Sequence, residues 1–138
     1  MNLVFVDTNV LVYAFDADAG PKFEKAQSIL KDCWNNQSGL LSTQVLQEFY
    51  VTVTKKLFKK VDKQSARNIV QVYKAWSVRS ITAEDIIDAS EFEEQNQISF
   101  WDSLIITIAQ KTGAETLYSE DMQDGQKFGS LTIVNPFK

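Results

Sequence analysis

Apolar positions along the chain follow two alternating periods. Short apolar runs predict strands at residues 3–6, 40–41, 77–81, 116–118 and 131–134. Segments in which apolar residues recur every three or four positions predict helices at residues 9–15, 21–34, 43–53, 63–76, 82–96 and 100–111. Strands that alternate with helices favour an α/β fold. No linker or repeat interrupts the pattern, so we expect residues 1–138 to form one domain.

Capping residues indicate where several of these helices begin and end. Ser42 or Thr43 suits the start of the third helix, because a hydroxyl can accept a hydrogen bond from an unpaired backbone N–H group. Thr82, with Asp85 three positions later, resembles a capping box. Gly113 follows the last helix, at the position where glycine commonly ends one.

Composition excludes several kinds of chemistry. The 138 residues include no histidine, which removes Ser-His-Asp and Cys-His catalysis and zinc sites with histidine ligands. The single cysteine, Cys33, cannot form an internal disulfide, so the cytoplasm is the expected compartment. The sequence shows no signal peptide, and no apolar run approaches the roughly 20 residues that span a membrane. Any reaction must therefore use carboxylates, hydroxyls, lysines or a bound metal.

Four acidic residues stand where they can reach a shared site. Asp7 and Asp121 come at or just after the ends of predicted strands, and Glu48 and Asp102 lie on predicted helices. The carboxyl ends of parallel strands meet at one edge of a sheet, where ligand sites form. Clustered carboxylates need cations, and oxygen ligands select Mg²⁺ or Mn²⁺, which neutralise phosphoryl charge. This pattern predicts a metal-dependent phosphodiesterase, although Glu48 and Asp102 taken singly also fit surface or capping roles.

A basic stretch qualifies the net charge of −4, which by itself argues against a nucleic-acid ligand. Seven of the 14 basic residues lie between positions 55 and 74, where only Asp62 opposes them. A local basic face can attract phosphate even on an acidic protein, and a solvated helix face is the alternative interpretation. The residues that we expect to bind RNA are Lys55, Lys56, Lys59 and Lys60.

Two other functions fit the acidic residues less well. A haloacid-dehalogenase-type phosphatase also begins with a strand followed by Asp, but it needs a second Asp where this chain has Asn9. A calcium site would require a loop glycine and alternating oxygen ligands, which the acidic segment 84–94 lacks. We interpret that segment as a solvated helix face, formed by Glu84, Asp85, Asp88, Glu91, Glu93 and Glu94.

Three motifs resemble those of PIN domains, and the resemblance covers essentially the whole chain. They are VFVDTNVLVY at residues 4–13, ISFWDSLI at 98–105 and LYSEDMQDGQ at 117–126. The closing VNPF at 134–137 is similar to chain ends of bacterial members. The resemblance implies a three-layer α/β/α sandwich around a mainly parallel sheet. It also implies an endoribonuclease that hydrolyses RNA phosphodiester bonds with Mg²⁺ or Mn²⁺.

The resemblance also implies roles for individual residues. The expected catalytic, metal-binding acids are Asp7, Glu48, Asp102 and Asp121. The expected supporting residues are Thr8, Asn9 and Ser119, and Asp124 could serve as a fifth, outer ligand. Many short PIN proteins are VapC-type toxins of bacterial or archaeal toxin–antitoxin pairs and are usually dimeric. We therefore expect an RNA substrate, an antitoxin partner and a homodimer.

An alternative is a non-catalytic PIN-fold module that binds RNA or protein. Acidic residues at all four expected positions, Asp7, Glu48, Asp102 and Asp121, argue against it. For an antitoxin helix, the candidate groove is formed by aromatic residues, namely Phe15, Phe23, Tyr50, Phe58 and Trp76.

Overall fold

The computed structural model describes residues 2–138 and centres on a six-stranded sheet. The strands are β1 (Val4–Val6), β2 (Gly39–Ser42), β3 (Ser77–Arg79), β4 (Thr116–Tyr118), β5 (Lys127–Phe128) and β6 (Leu131–Val134). Their order across the sheet is β3-β2-β1-β4-β6-β5. All neighbouring strands are parallel except β5 and β6, which are antiparallel. The predicted mainly parallel sheet is therefore confirmed.

Six α-helices within residues 2–138 surround this sheet. They are α1 (Thr8–Tyr13), α2 (Pro21–Asn36), α3 (Thr43–Val51), α4 (Lys63–Tyr73), α5 (Ala83–Asn96) and α6 (Phe100–Lys111). Helix α1 packs on α2 and α3, whereas α5 packs on α6. The arrangement is the three-layer α/β/α sandwich that the resemblance implied. None of the helices within residues 2–138 is both long and apolar enough to span a bilayer.

The central strands are buried because helices cover both faces of the sheet. All three residues of β1 are buried, and Leu117 of β4 and Ile133 of β6 are fully inaccessible to solvent. Continuous apolar runs are typical of such strands. Strands β1 and β4 run side by side in parallel, with Val6 opposite Tyr118. Their carboxyl ends therefore deliver the next residues of both strands to one edge of the sheet.

The predicted caps are present. The Ser42 hydroxyl accepts a hydrogen bond from the backbone N–H of Val45 at 3.3 Å. Thr82 and Asp85 form both bonds of the capping box, at 3.2 and 3.1 Å. Gly113 follows α6 with φ of +82°, a left-handed conformation that costs other residues steric strain. Local sequence therefore determines these helix ends.

Several elements differ from the prediction. Strand β5 and a π-helical turn at Thr52–Lys56 were not predicted, whereas a 3₁₀ turn at Ala17–Ala19 lies in the gap between the first two predicted helices. The helix expected at 63–76 ends at Tyr73, and residues 74–76 lead into β3. Each of these segments is short, so its sequence carries too few periodic positions to identify it.

Two interpretations of surface residues are wrong. Asp85 does not belong to a solvated face, because its side chain is fully buried between Arg79 and Lys111. The five aromatic residues do not form one open groove, because Trp76 is buried and Phe15 packs edge-on against Phe49 and Tyr73. Of that set, Phe58 is almost completely exposed, with 97% of its surface accessible.

Candidate functional site

Asp7 lies at the junction of β1 and α1 and is held from three sides. Its backbone N–H donates to the carbonyl oxygen of Tyr118 at 3.0 Å, which continues the pairing of β1 with β4. Its carboxylate caps α1 by accepting from the Thr8 N–H at 2.7 Å, and it also accepts from the Ser119 hydroxyl at 2.8 Å. Asp7 and Ser119 are both buried, so the orientation of this carboxylate is fixed.

Asn9 joins α1 to the segment that follows β4. Its side-chain amide nitrogen donates to an Asp121 carboxylate oxygen at 3.0 Å, and its amide oxygen accepts from the Glu120 N–H at 3.2 Å. Asp121 itself is exposed. Asn9 therefore positions an accessible carboxylate close to the buried Asp7.

Thr8 holds Glu48 in a similar way. The Thr8 hydroxyl donates to a Glu48 carboxylate oxygen at 3.0 Å, and Glu48 is exposed on α3. Consecutive residues at the start of α1 thus each bind an acidic side chain from a distant element. This explains why Thr8 and Asn9 accompany Asp7, and it brings Asp7, Glu48 and Asp121 to one place.

Asp102 lies in the first turn of α6 and is partly buried. Its backbone N–H donates to the Ser99 hydroxyl, which caps the helix, at 3.1 Å. Burial raises the pKa of Asp102, and the charge of Asp121 raises it further. Asp102 is therefore close enough to Asp121 for the two charges to repel each other, although no hydrogen bond joins Asp102 to the other three acids within residues 2–138.

Asp124 has a different contact. It is exposed, and its carboxylate accepts a hydrogen bond from the Asn135 N–H at 2.8 Å. This bond ties the loop after β4 to the end of β6. The observed role of Asp124 is structural, and its service as a fifth, outer ligand stays a prediction.

Burial and charge repulsion alter the acidity of Asp7. Burial is the largest effect and raises the pKa of Asp7 to about 6, and the nearby charges of Glu48 and Asp121 also raise it. The hydrogen bonds from Ser119 and Thr8 lower it in part. A carboxylate in this setting is stabilised by any cation that approaches it. Ionised Asp7 therefore gains stability from a cation bound beside it.

The donor set fits a hard divalent ion. Carboxylate oxygens with nearby hydroxyl and amide groups are typical ligands and supports for Mg²⁺ or Mn²⁺. As placed, however, no three acidic or cysteine side chains within residues 2–138 converge tightly enough to form a ligand set. Glu48 and Asp121 bond Thr8 and Asn9 instead. Each of these bonds uses one carboxylate oxygen, so the second oxygen of Glu48 and of Asp121 remains for an ion.

A cleft of about 530 Å³ opens beside this group. Its lining includes Glu48 and Asp121 together with one cationic residue, Lys56. The other lining residues are Thr8, Asn9, Val12, Tyr13, Gln47, Val51 and Thr52. The cleft therefore presents acidic groups and a cation side by side, as binding a metal and a phosphate together requires.

A second cluster, not identified from the sequence, holds the segment that carries Asp121. The Glu120 carboxylate accepts from the Tyr13 hydroxyl at 2.7 Å and from the Lys22 ammonium at 2.5 Å. The same ammonium lies 5.1 Å from the centre of the Tyr13 ring. The position of Glu120 next to Asp121 was the only signal in the sequence, because its partners lie about a hundred residues away. These contacts hold Glu120 in place and so position the next residue, Asp121.

The raised pKa of Asp7 predicts a pH-dependent stability of the metal-free protein. The folded state binds the Asp7 proton more tightly than the unfolded state. Protonation of Asp7 therefore contributes fully to the free energy of unfolding below about pH 4, and this contribution is lost as pH rises through 6. At about 1.4 kcal/mol per pKa unit, the loss is about 3 kcal/mol. Part of this is already lost at pH 4.5, so stability should fall by about 2 kcal/mol between pH 4.5 and 8. In Asp7→Asn this part of the decline should disappear, and urea unfolding in EDTA at the two pH values measures it. Asp124→Asn, the control, should lose as much stability with rising pH as wild type does. An equal loss of stability in wild type and Asp7→Asn would show that Asp7 does not cause the pH dependence.

Comparisons with known proteins agree with the fold. The family model described as PIN domain matches residues 4–124. No curated protein sequence matches the chain. A toxin–antitoxin complex from Klebsiella pneumoniae has a chain with a TM-score of 0.70 and 18% identity, and the match covers 96% of this chain and 97% of that one. The sarcin–ricin-loop-cleaving toxin VapC20 of Mycobacterium tuberculosis has a TM-score of 0.66 and 21% identity, and the match covers 86% of this chain and 89% of that one. A chain of VapBC2 of Rickettsia felis, bound to a promoter DNA fragment, has a TM-score of 0.65 and 20% identity, and the match covers 95% of this chain and 96% of that one.

Proposed function

The chain belongs to the PIN domain family, and on that premise we propose that it is a metal-dependent endoribonuclease acting as a VapC-type toxin. The observation that supports the nuclease most strongly is the buried carboxylate of Asp7, with Glu48 and Asp121 beside it in an open cleft. The toxin role is supported by the similar structures, which are a toxin–antitoxin complex, an RNA-cleaving toxin and a VapBC assembly.

The proposed mechanism assigns the acids to one metal site. Asp7, Glu48, Asp102 and Asp121 would hold Mg²⁺ or Mn²⁺. A bound ion of this kind lowers the pKa of water and neutralises charge on a phosphate. Thr8 and Ser119 keep the Asp7 carboxylate directed into the site, while Asn9 does the same for Asp121. The Lys56 ammonium would pair with a phosphate of the RNA backbone in the cleft. The chain contains no histidine, so a carboxylate would take the proton of the attacking water.

The direct test is RNA cleavage by the purified protein. We expect a mixed RNA substrate to be cut at internal positions with Mg²⁺ or Mn²⁺ and left intact with EDTA. Restoring the metal after EDTA treatment should restore cleavage. A protein that binds RNA but does not cut it under any of these conditions would instead be the non-catalytic binding module. Retention of full activity in EDTA would contradict the metal site.

The basic residues next to the cleft should control RNA affinity. Lys55, Lys56, Lys59 and Lys60 are all exposed. Reversing Lys56, Lys59 and Lys60 to Glu should weaken binding and lower its salt dependence, by roughly 0.7 in log–log slope for each phosphate that the variant no longer neutralises. Binding measured between 50 and 300 mM salt gives this slope. Reversing the exposed Lys25 on α2 to Glu is the control. An unchanged slope in the triple variant would mean that these lysines form a solvated surface and do not contact RNA.

We further propose that an antitoxin protein restrains this activity and that the chain forms a homodimer. An arginine from the antitoxin could pair with Asp7 or Asp121 in place of the metal. Expression in bacteria with and without the product of an adjacent small gene tests the partner. Slow growth that the second product relieves supports the toxin role. Normal growth without that product would leave a PIN-family nuclease without a toxin role.

A further inference from the structure

Phe58 is the most exposed large apolar side chain among residues 2–138, with 97% of its surface accessible. It lies in the loop at residues 57–62, between the π-helical turn and α4. A phenylalanine ring in water gives up the burial that normally stabilises it. This loop could carry a polar residue at no cost in packing, so the ring requires another explanation.

The loop holds the ring outward in a fixed way. The Leu57 N–H donates to the Thr52 carbonyl at 3.2 Å, and the Val61 N–H donates to the Val53 carbonyl at 2.8 Å. Leu57 and Val61 are partly buried against the core. Both ends of the loop are therefore anchored by backbone bonds and by apolar contacts. Phe58 is displayed on a defined support, so little conformational entropy would be lost when a ligand covers it.

The surroundings of the ring are cationic. Exposed lysines flank it in the sequence on both sides, namely Lys55, Lys56, Lys59 and Lys60. The one acidic residue of the loop, Asp62, uses its carboxylate to accept from the Ser65 N–H and hydroxyl at 3.0 and 2.6 Å. A polyanion matches this charge, and an aromatic face among cations suits a nucleobase attached to a phosphate backbone. An apolar protein surface would have to desolvate several ammonium groups to reach the ring.

Lys56 connects the ring to the catalytic cleft. It lines the cleft with Glu48 and Asp121 and is two residues from Phe58. We infer that Phe58 is a stacking platform for an unpaired base of the RNA whose backbone passes Lys56 into the cleft. This inference rests on the proposed ribonuclease function. A base stacked on Phe58 must be unpaired, because base faces in a duplex are already covered.

The test compares two replacements of Phe58 in a protein that cannot cut. Both replacements are made in an Asp102→Asn background and tested in EDTA, so that the RNA is not cut. Phe58→Leu keeps an apolar side chain but removes the aromatic face, whereas Phe58→Trp keeps an aromatic face. The probes are a fluorescent 12-nucleotide single-stranded RNA, the same strand with abasic positions, and its duplex. Phe58→Leu should weaken binding of the intact strand roughly 5- to 150-fold per stacked base, and Phe58→Trp should retain it. Ile87→Ala, which trims another exposed apolar side chain, should change nothing.

The abasic strand and the duplex separate stacking from charge. The protein that keeps Phe58 should bind abasic RNA more weakly than intact RNA. Its affinity for abasic RNA should equal that of the Phe58→Leu variant. The duplex should not distinguish the variants. Equal binding of the intact strand with and without the Phe58 ring overturns the inference and leaves the nuclease proposal untouched. A Phe58→Leu variant that loses self-association in sedimentation but keeps its RNA affinity also overturns it, in favour of a protein contact. A wild-type protein that neither binds nor cuts RNA contradicts the proposed function itself.

Discussion

Asp7→Asn should lower the rate of RNA cleavage by roughly 10⁴-fold, the size of loss seen when the acid of a cooperating catalytic set is neutralised. Asparagine has nearly the same shape and can still accept a hydrogen bond from the Thr8 N–H. It lacks the charge that would bind a divalent ion beside Glu48 and Asp121. The loss should therefore appear in cleavage while the fold is retained. Single-turnover cleavage in Mn²⁺, with circular dichroism of the same samples, measures both.

Two further variants give this experiment its controls. Asp121→Asn removes the exposed acid that Asn9 orients and should cause a comparable loss. Asp124→Asn removes a charge from the same loop but keeps an acceptor for the Asn135 N–H, so cleavage should stay close to wild type. A large loss in Asp124→Asn would instead support its service as an outer ligand. Wild-type rates in folded Asp7→Asn would exclude Asp7 from the metal site.

Helix α6 and the first strand show what the sequence could predict. The helix was expected at residues 100–111 and spans Phe100–Lys111, because its apolar period, its length and the glycine after it all act locally. Strand β1 was identified by its apolar run and by the acid that ends it. The convergence of Asp7 and Asp121 followed from the general geometry of parallel strands. Each of these predictions depends on neighbours within a few positions or on a rule for the whole fold class.

The contacts that complete the site depend on residues far apart in the chain. Thr8 bonds Glu48 across 40 positions, and Asn9 bonds Asp121 across 112. No period or spacing in the sequence specifies such pairs, so the sequence supplied candidates and the structure supplied their partners. The same limit explains the error at Asp85. Its position on α5 looked like part of an acidic solvent face, but Lys111, 26 residues away, faces it from α6.

Asp85→Ala should destabilise the protein by about 3 kcal/mol, the lower end of the range for breaking a buried ion pair. The fully buried carboxylate accepts from Arg79 at 2.8 and 3.2 Å, from Lys111 at 2.8 Å and from the Thr82 N–H at 3.1 Å. Removing it leaves Arg79 without its anion, leaves Lys111 paired with Asp88 alone, and opens the capping box of α5. Arg79 and Lys111 keep some contact with water, with 34% and 28% of their side chains exposed, which limits the cost. Urea unfolding at pH 7 measures the difference.

A matched control and a pH series distinguish the buried network from an ordinary surface pair. Asp88→Ala removes the other partner of Lys111, a partly exposed carboxylate at 2.6 Å, and should cost less than about 1 kcal/mol. Hydrogen bonds from Arg79 hold the pKa of Asp85 well below its usual range despite burial, with Lys111 and Thr82 lowering it further. A lowered folded-state pKa gives stability that is present above the unfolded value near 3.8 and is lost as pH falls below it. The stability gap between wild type and Asp85→Asn should therefore be full at pH 7 and narrow below about pH 4. A gap that stays constant to pH 2 would mean that packing, rather than the charge of Asp85, stabilises this part of the fold.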